Sequence, residues 1–215
     1  MTATVEQAGE RLELLPERAI WWPAERTLLI ADVHFGKGAS FRALGVPVPR
    51  ATTRENLARL DALIERHAAR SIVFLGDFLH AKSSHAPDTL TDLAEWRARH
   101  PALELDLVRG NHDARAGEPP ASLGIRVVDE PHHRGPFALA HHPRRFEGAY
   151  TLAGHLHPSY RLSGRGGDTL RLPCFWFRDG VGVLPAFGSF TGSYAIRRDL
   201  DDRLFVVTPE RVFSV

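Results

Sequence analysis

The chain has 215 residues, 43% of them hydrophobic, so it can bury a full core as one domain spanning residues 1–215. Its 27 Lys and Arg residues nearly cancel its 26 Asp and Glu residues, so global charge gives no strong evidence for a nucleic-acid-binding protein. The single cysteine, Cys174, excludes an intrachain disulfide, and the N-terminal segment lacks a long apolar run, so we expect a cytoplasmic protein without a membrane span.

Five short apolar runs predict β-strands, because each has the length of a strand rather than that of a helix. In chain order they are Leu28–Ala31, Ile72–Leu75, Leu105–Val108, Phe137–Ala140 and Tyr150–Ala153. Two amphipathic segments predict helices between the first three runs. The apolar face of the first helix is formed by Leu57, Leu60, Leu63, Ile64 and His67. That of the second is formed by Leu90, Leu93, Ala94 and Trp96.

Polar residues predict where these helices begin. Thr52 and Glu55 form a possible capping box for the first helix, and Asp88 is the candidate cap of the second. The alternation of strands and helices predicts right-handed crossovers and a largely parallel sheet, with ligands at its carboxyl edge. After Tyr160, short alternating stretches such as Thr169–Leu172 and Leu204–Val207 predict antiparallel strands. A second sheet that packs on the first would make an α/β/β/α sandwich.

A polar motif follows each of the five apolar runs. The motifs are Asp32-Val33-His34, Gly76-Asp77, Gly110-Asn111-His112-Asp113, His141-His142 and Gly154-His155-Leu156-His157. In an extended segment, residues two apart point to the same side, so each Asp-x-His or His-x-His pair can converge on neighbouring metals. Singly, these residues have ordinary readings as helix caps, turn residues or exposed histidines. The ordered set is specific and predicts a metal site.

The ordered motifs from Asp32 to His157 resemble the calcineurin-like metallophosphoesterase superfamily, which implies an α+β fold, a four-layer α/β/β/α sandwich. Four further segments resemble one group within it, the ligase-associated DNA damage response endonucleases. These segments are Trp21-Trp22-Pro23, Ala31 to Lys37, Gly76 to His80 and Phe187 to Gly192.

The resemblance implies two divalent metal ions. One would be surrounded by Asp32, His34, Asp77 and His157, and the other by Asp77, Asn111, His141 and His155, so that Asp77 bridges them. The imidazole-rich ligand set favours Mn, Fe, Zn or Co over Mg, and the resemblance favours Mn. His142 stays an alternative to His141, because strand ends are uncertain by a few residues in a sequence.

A hydroxide that bridges the metals is the expected nucleophile at phosphorus. His112 follows a ligand without being one, and we expect it to act as the general acid for the leaving oxygen. Asp113 would orient His112, or would form an ordinary surface salt bridge. His80 is a candidate for contact with the scissile phosphate or with a metal ligand, and a surface histidine is the alternative. Lys37, Arg144 and Arg145 are candidates for holding flanking phosphates.

The leading functional hypothesis is a phosphodiesterase, an endonuclease that acts on DNA in DNA repair, with RNA as a further candidate substrate. The resemblance also implies a functional link to a DNA helicase and an ATP-dependent DNA ligase. The first alternative is a hydrolase of small phosphodiesters or nucleotides, because one fold serves many substrates. The second is a non-catalytic scaffold that retains its metals, and His112 argues against it.

Overall fold

Two mixed β-sheets pack face to face in the computed structural model, which describes residues 1–43, 45–46, 48, 52–164, 166–189 and 191–215. The first sheet has the order β1-β2-β3-β4-β5-β6-β7. Its strands are β1 (Ala3–Gln7), β2 (Glu10–Leu14), β3 (Ile20–Trp22), β4 (Thr27–Ile30), β5 (Ser71–Leu75), β6 (Glu104–Val108) and β7 (Ile125–Val128). Strands β4 to β7 are parallel, which confirms the predicted parallel sheet.

The N-terminal half of this sheet is antiparallel and was not predicted. A two-residue turn joins β1 to β2, and both of its residues, Ala8 and Gly9, have positive φ angles of 51° and 81°. Such turns suit the twist of a β-hairpin. The hairpin widens the sheet on the side away from β7.

The second sheet contains the remaining strands. They are β8 (His132–Arg134), β9 (Phe137–Ala140), β10 (Tyr150–Ala153), β11 (Pro158–Ser163), β12 (Thr169–Arg178), β13 (Val181–Val183), β14 (Tyr194–Ala195), β15 (Arg203–Val207) and β16 (Val212–Ser214). The sequence placed the change of sheet after Tyr160, which is too late, because β9 and β10 already belong to the second sheet. An apolar run predicts burial, but it does not say which strand will be its neighbour.

Helices cover the outer face of the first sheet. They are α1 (Lys37–Ala43), α2 (Thr52–His67), α3 (Pro87–Arg99) and α4 (Asp113–Ala116). Leu60 of α2 and Trp96 of α3 pack with Phe74 of β5 in one buried cluster. None of the helices in the described ranges is long and apolar enough to cross a membrane.

The predicted helix caps differ from the structure. Helix α3 begins at Pro87, whose fixed φ suits a first turn, and the N-cap Ala86 makes no side-chain hydrogen bond. Asp88 lies inside the first turn, so it is not the cap, although its charge is well placed there. Thr52 is already helical, and the residue before it lies outside the described ranges.

The two sheets are joined by a continuous apolar layer. Leu139 of β9 and Val73 of β5 are fully buried within it, and Trp22 of β3 contacts Phe137 of β9 edge-on at a centroid distance of 5.1 Å. The outer face of the second sheet is covered differently from the first. There Trp176 and Val206 pack against Ile196 and the β11–β12 hairpin, and no helix of the described chain takes part.

Leu139→Ala should lower the free energy of unfolding by about 2–5 kcal/mol, because it opens a cavity between the sheets. Leu200 is 100% exposed, so Leu200→Ala should change this free energy by less than about 0.5 kcal/mol. Urea unfolding followed by circular dichroism measures both. Equal losses in the two variants would contradict the assignment of this layer as the main core.

Candidate metal centre

All seven predicted metal ligands lie at one edge of the molecule, beyond the carboxyl ends of β4, β5, β6, β9 and β10. Ligand atoms of Asp32, His34 and His157 lie within 4.8 Å of one another. The same holds for Asp32, Asp77 and His141. The two sheets therefore contribute to one cluster, as the parallel edge predicts.

Asp77 faces both halves of this cluster. Its Oδ2 lies 3.7 Å from His34 Nε2, and its Oδ1 lies 3.5 Å from His141 Nε2. Oδ1 also accepts the backbone N–H of His112 at 2.9 Å. One carboxylate oxygen is thus available to each side, which is the arrangement that a bridging ligand needs.

His141 is directed into the second half of the cluster. Its Nδ1 donates to the Leu75 carbonyl at 3.0 Å, so in the neutral ring Nε2 carries the lone pair. Nε2 lies 2.9 Å from Asn111 Oδ1 and 3.0 Å from His155 Nδ1. No hydrogen atom lies between this lone pair and the Asn111 amide oxygen, so the two atoms repel each other. A cation bound between them would remove the repulsion.

The alternative ligand, His142, also borders the cluster, since ligand atoms of His141, His142 and His155 lie within 4.8 Å of one another, but it is paired with a carboxylate as well. Its Nδ1 lies 3.0 Å from Glu130 Oε1, whereas the His141 ring is fully buried among the other ligands. The geometry favours His141 for this reason.

The other half of the cluster contains two buried polar atoms without a hydrogen-bond partner among the described residues, Asp32 Oδ1 and His157 Nε2. They lie 3.6 Å from each other. Leaving such atoms unpaired is costly, and a metal ion would satisfy both. Burial lowers the pKa of His34 to about 2, which keeps that imidazole neutral, as a ligand must be. The residues present therefore fit divalent metal ions.

Five of the seven ligands have a positive φ, which is unusual for residues other than glycine. They are Asp32, His34, Asp77, His155 and His157, with φ between 50° and 71°. The Asp-x-His and His-x-His pairs therefore do not lie in extended segments, and that prediction is wrong. Left-handed residues at strand ends aim the side chains instead, and such strain is typical of functional sites.

Two glycines allow the close approach of the motifs. A Cβ on Gly76, which has a φ of 83°, would lie 2.1 Å from His141 Nδ1. A Cβ on Gly154 would lie 2.7 Å from Asp32 Oδ2. No larger residue fits beside these ligands without moving them.

Asp113 does not orient His112, and it forms no salt bridge with any residue in the described part of the chain, so both predicted roles are corrected. It is buried, and its carboxylate accepts the backbone N–H groups of Asp77 at 2.8 Å, Phe78 at 2.9 Å and Gly110 at 2.9 Å. A one-turn helix begins at Asp113 and points the carboxylate back toward these amides. Asp113 therefore fixes the backbone that carries Asp77.

His112 is oriented by the backbone of a neighbouring loop. Its Nδ1 lies 2.7 Å from the carbonyl oxygen of His80, so Nδ1 is the donor and Nε2 is the atom left to exchange a proton. The His112 and His80 rings stack, with centroids 5.0 Å apart. His80 Nδ1 also lies 3.4 Å from His34 Nδ1, so His80 is half-buried beside a ligand and is not an ordinary surface histidine.

The predicted phosphate-binding residues fall into two classes. Lys37, the first residue of α1, is half-buried; burial lowers its pKa, while attraction to Asp77 and Asp32 opposes this effect. Arg144 and Arg145 are exposed and already paired, with Arg144 Nη2 3.2 Å from Glu130 and Arg145 Nη2 2.5 Å from Asp179. Only Lys37 of the three is close to the ligand carboxylates.

Sequence reasoning missed Glu130, whose carboxylate accepts the backbone N–H groups of His141 at 3.0 Å and His142 at 2.9 Å. Burial alone would raise the pKa of Glu130, but these hydrogen bonds lower it. The sequence around Glu130 contains no motif that could have identified it. The segment from Phe187 to Gly192, called the late segment below, also holds the backbone beside a predicted ligand, because Phe187 N–H donates to the Ala31 carbonyl at 2.8 Å. Phe190 of that segment lies outside the described ranges.

Asp113→Ala should lower the free energy of unfolding by about 3–5 kcal/mol, because several buried N–H groups lose their acceptor. It should also weaken metal binding, since Asp77 loses its backbone support. His112→Ala should cost less than half as much stability. Urea unfolding and metal titration measure these effects. An Asp113→Ala protein with normal stability and metal affinity but slow turnover would restore the role of orienting His112.

Comparison with known proteins agrees with the site. Residues 25–162 match the family model of the calcineurin-like phosphoesterases. The chain is similar to the solved structure of Pseudomonas putida nuclease MPE, with 46% sequence identity, a TM-score of 0.87 and coverage of 100% of both chains. No curated protein matches the chain. Because this family model matches more than half of the chain, the chain belongs to the calcineurin-like phosphoesterase family and is a metal-dependent hydrolase.

Proposed function

We propose that this hydrolase is a binuclear phosphodiesterase that cleaves DNA as an endonuclease, with RNA as a second substrate. The proposal rests mainly on Asp77, whose Oδ2 faces His34 and whose Oδ1 faces His141. The solved relative from Pseudomonas putida is a nuclease, which supports a polynucleotide over a small phosphodiester.

The first metal would be held by Asp32, His34, Asp77 and His157, and the second by Asp77, Asn111, His141 and His155. We propose Mn as the natural metal, with Fe, Zn and Co as alternatives, because imidazole ligands predominate. When bound, two divalent ions supply Lewis acidity toward a phosphoryl oxygen and activate water at neutral pH.

The charge of the site suits a phosphodiester. Asp32 and Asp77 are the only anions among the seven ligands, so two divalent ions leave a net positive charge for the substrate. Lys37 adds a half-buried ammonium near the same two carboxylates. His112 holds its ring through the His80 carbonyl and is left with Nε2 to protonate the leaving oxygen.

A role in DNA repair, a link to a DNA helicase and an ATP-dependent DNA ligase, and a cytoplasmic location belong to the same proposal. The first two are supported by the motif resemblance. The location is supported by Cys174, which is buried and has no disulfide partner.

Asp77→Ala should abolish Mn-dependent cleavage, by at least about 1000-fold, because it removes the carboxylate shared by both metals. Asp92→Ala is the matched control, since Asp92 is also a buried aspartate but pairs with Arg54 on the helical face. Metal content and cleavage of single-stranded DNA, duplex DNA, RNA and bis(p-nitrophenyl) phosphate are measured for wild type and both variants.

Three outcomes would contradict the proposal. Full turnover and metal content in Asp77→Ala would exclude a bridging role. Wild-type cleavage of the aryl diester alone would favour the small-molecule hydrolase, and metal binding without any cleavage would favour the scaffold.

His112→Ala should keep both metals and lose about 100-fold or more in rate on DNA, whose leaving oxygen needs a proton. It should lose much less on bis(p-nitrophenyl) phosphate, because p-nitrophenolate leaves without one. His133→Ala, in the exposed part of β8, is the matched control. Equal losses on both substrates would show that His112 binds substrate or metal instead.

A further inference from the structure

A groove opens beside the predicted metal ligand His157. It encloses about 280 Å³, and its wall includes Arg18, Ser159, Arg171, Thr191 and Ser193. We call it the Arg18 groove. Its polar lining contains two guanidinium groups and several hydroxyl groups, and none of the described residues that line it carries a carboxylate. Arg144 and Arg145 line a different depression.

Arg18 is half-buried, and no carboxylate of the described residues lies within salt-bridge distance of it. Its one hydrogen bond there is a long one, 3.4 Å from Nη1 to the Ala186 carbonyl, so most of its five N–H donors remain available. A partly buried cation without an anion is costly. A second guanidinium, Arg59, lies near enough to repel it: burial and then the Arg18 charge lower the pKa of Arg59 to about 10.

The β11–β12 hairpin extends this positive charge outward. Arg161 and Arg171 are directly opposite each other in the antiparallel register, and both are exposed. Ser159 and Pro173, which line the groove, are opposite each other two positions along, on the same face. Like charges in such a pair destabilise a hairpin unless an anion lies between them.

We propose that the Arg18 groove binds a backbone phosphate of the polynucleotide that flanks the cleaved one, and that Arg171 and Arg161 bind the strand as it leaves. This inference rests on the proposed nuclease function. Arg144 and Arg145 are weaker candidates because each already has a carboxylate partner. Arginine suits the role, because its planar fork matches two phosphate oxygens.

The test compares the double variant Arg161→Ala/Arg171→Ala with the control Arg99→Ala, an exposed arginine of α3. The double variant should raise KM for a single-stranded DNA 12-mer about tenfold, as expected for lost charged contacts. KM for bis(p-nitrophenyl) phosphate, which has no flanking phosphate, should rise less than twofold. The control should behave as wild type on both substrates.

Binding supplies a readout that does not depend on cleavage. Fluorescence anisotropy of the 12-mer in EDTA, over a range of salt concentrations, should give a slope of log affinity against log salt that is about 1.4 smaller in magnitude, about 0.7 per lost phosphate contact. Replacing the phosphates of the leaving strand one at a time by neutral methylphosphonates should weaken cleavage by wild type but not further weaken cleavage by the double variant, whereas the phosphate held by Arg18 should matter in both proteins.

The outcomes separate the two proposals. A wild type that neither cuts nor binds polynucleotides would overturn the nuclease function itself. A wild type that cuts DNA, with both the double variant and a folded Arg18→Gln unchanged in KM and salt slope, would overturn the Arg18 groove alone. Arg18→Gln should reproduce the loss more strongly, and its thermal unfolding shows whether the segment at Ala186 is intact. If Arg18→Gln does not fold, the double variant Arg161→Ala/Arg171→Ala decides whether the groove binds the strand.

Discussion

One carboxylate joins the two sheets at the site. Asp32 follows β4 of the first sheet, and its Oδ2 accepts the backbone N–H of His155 at 2.9 Å, at the end of β10 of the second sheet. That hydrogen bond needs the close approach that Gly154 allows. Because Oδ2 is used by the fold, Oδ1 is left buried without a partner among the described residues, directed toward His157. The same side chain therefore connects the sheets and presents the metal with a ligand.

The site concentrates negative charge in a buried place. Burial and then the Asp32 charge raise the pKa of Asp77, and burial raises that of Asp113. Backbone N–H groups offset part of the cost, since His112 N–H donates to Asp77 and four amides nearby donate to Asp113. Divalent ions would supply the rest of the compensation. Metal binding and the order of this edge are coupled for that reason.

The sequence predicted the features that a local pattern of residues determines, and it did not predict those that depend on contacts between residues far apart in the chain. Apolar runs predicted β5, β6, β9 and β10 closely, and the polar motifs behind them predicted which side chains would meet. The sheet to which β9 belongs could not be read, because pairing depends on partners far along the chain. The role of Asp113 was missed for the same reason: the backbone N–H groups that donate to its carboxylate lie up to 36 residues away, and a sequence does not show which backbone amides a side chain will meet. The left-handed backbone conformation of the predicted ligands could not be predicted either, because glycine is the residue type whose presence in a sequence indicates that conformation.

The late segment links the metal site to the Arg18 groove. Arg18 Nη1 donates to the Ala186 carbonyl, and the next two residues donate their N–H groups to the first metal motif: Phe187 to the Ala31 carbonyl and Gly188 to the Asp32 carbonyl at 3.1 Å. The approach is so close that a Cβ on Gly188 would lie 2.3 Å from the Val33 carbonyl. Three consecutive residues thus hold a guanidinium and a metal-ligand backbone at a fixed separation. A strand held at Arg18 would be positioned relative to Asp32 by this short backbone bridge, so alignment of the scissile phosphate would not depend on flexible side chains alone.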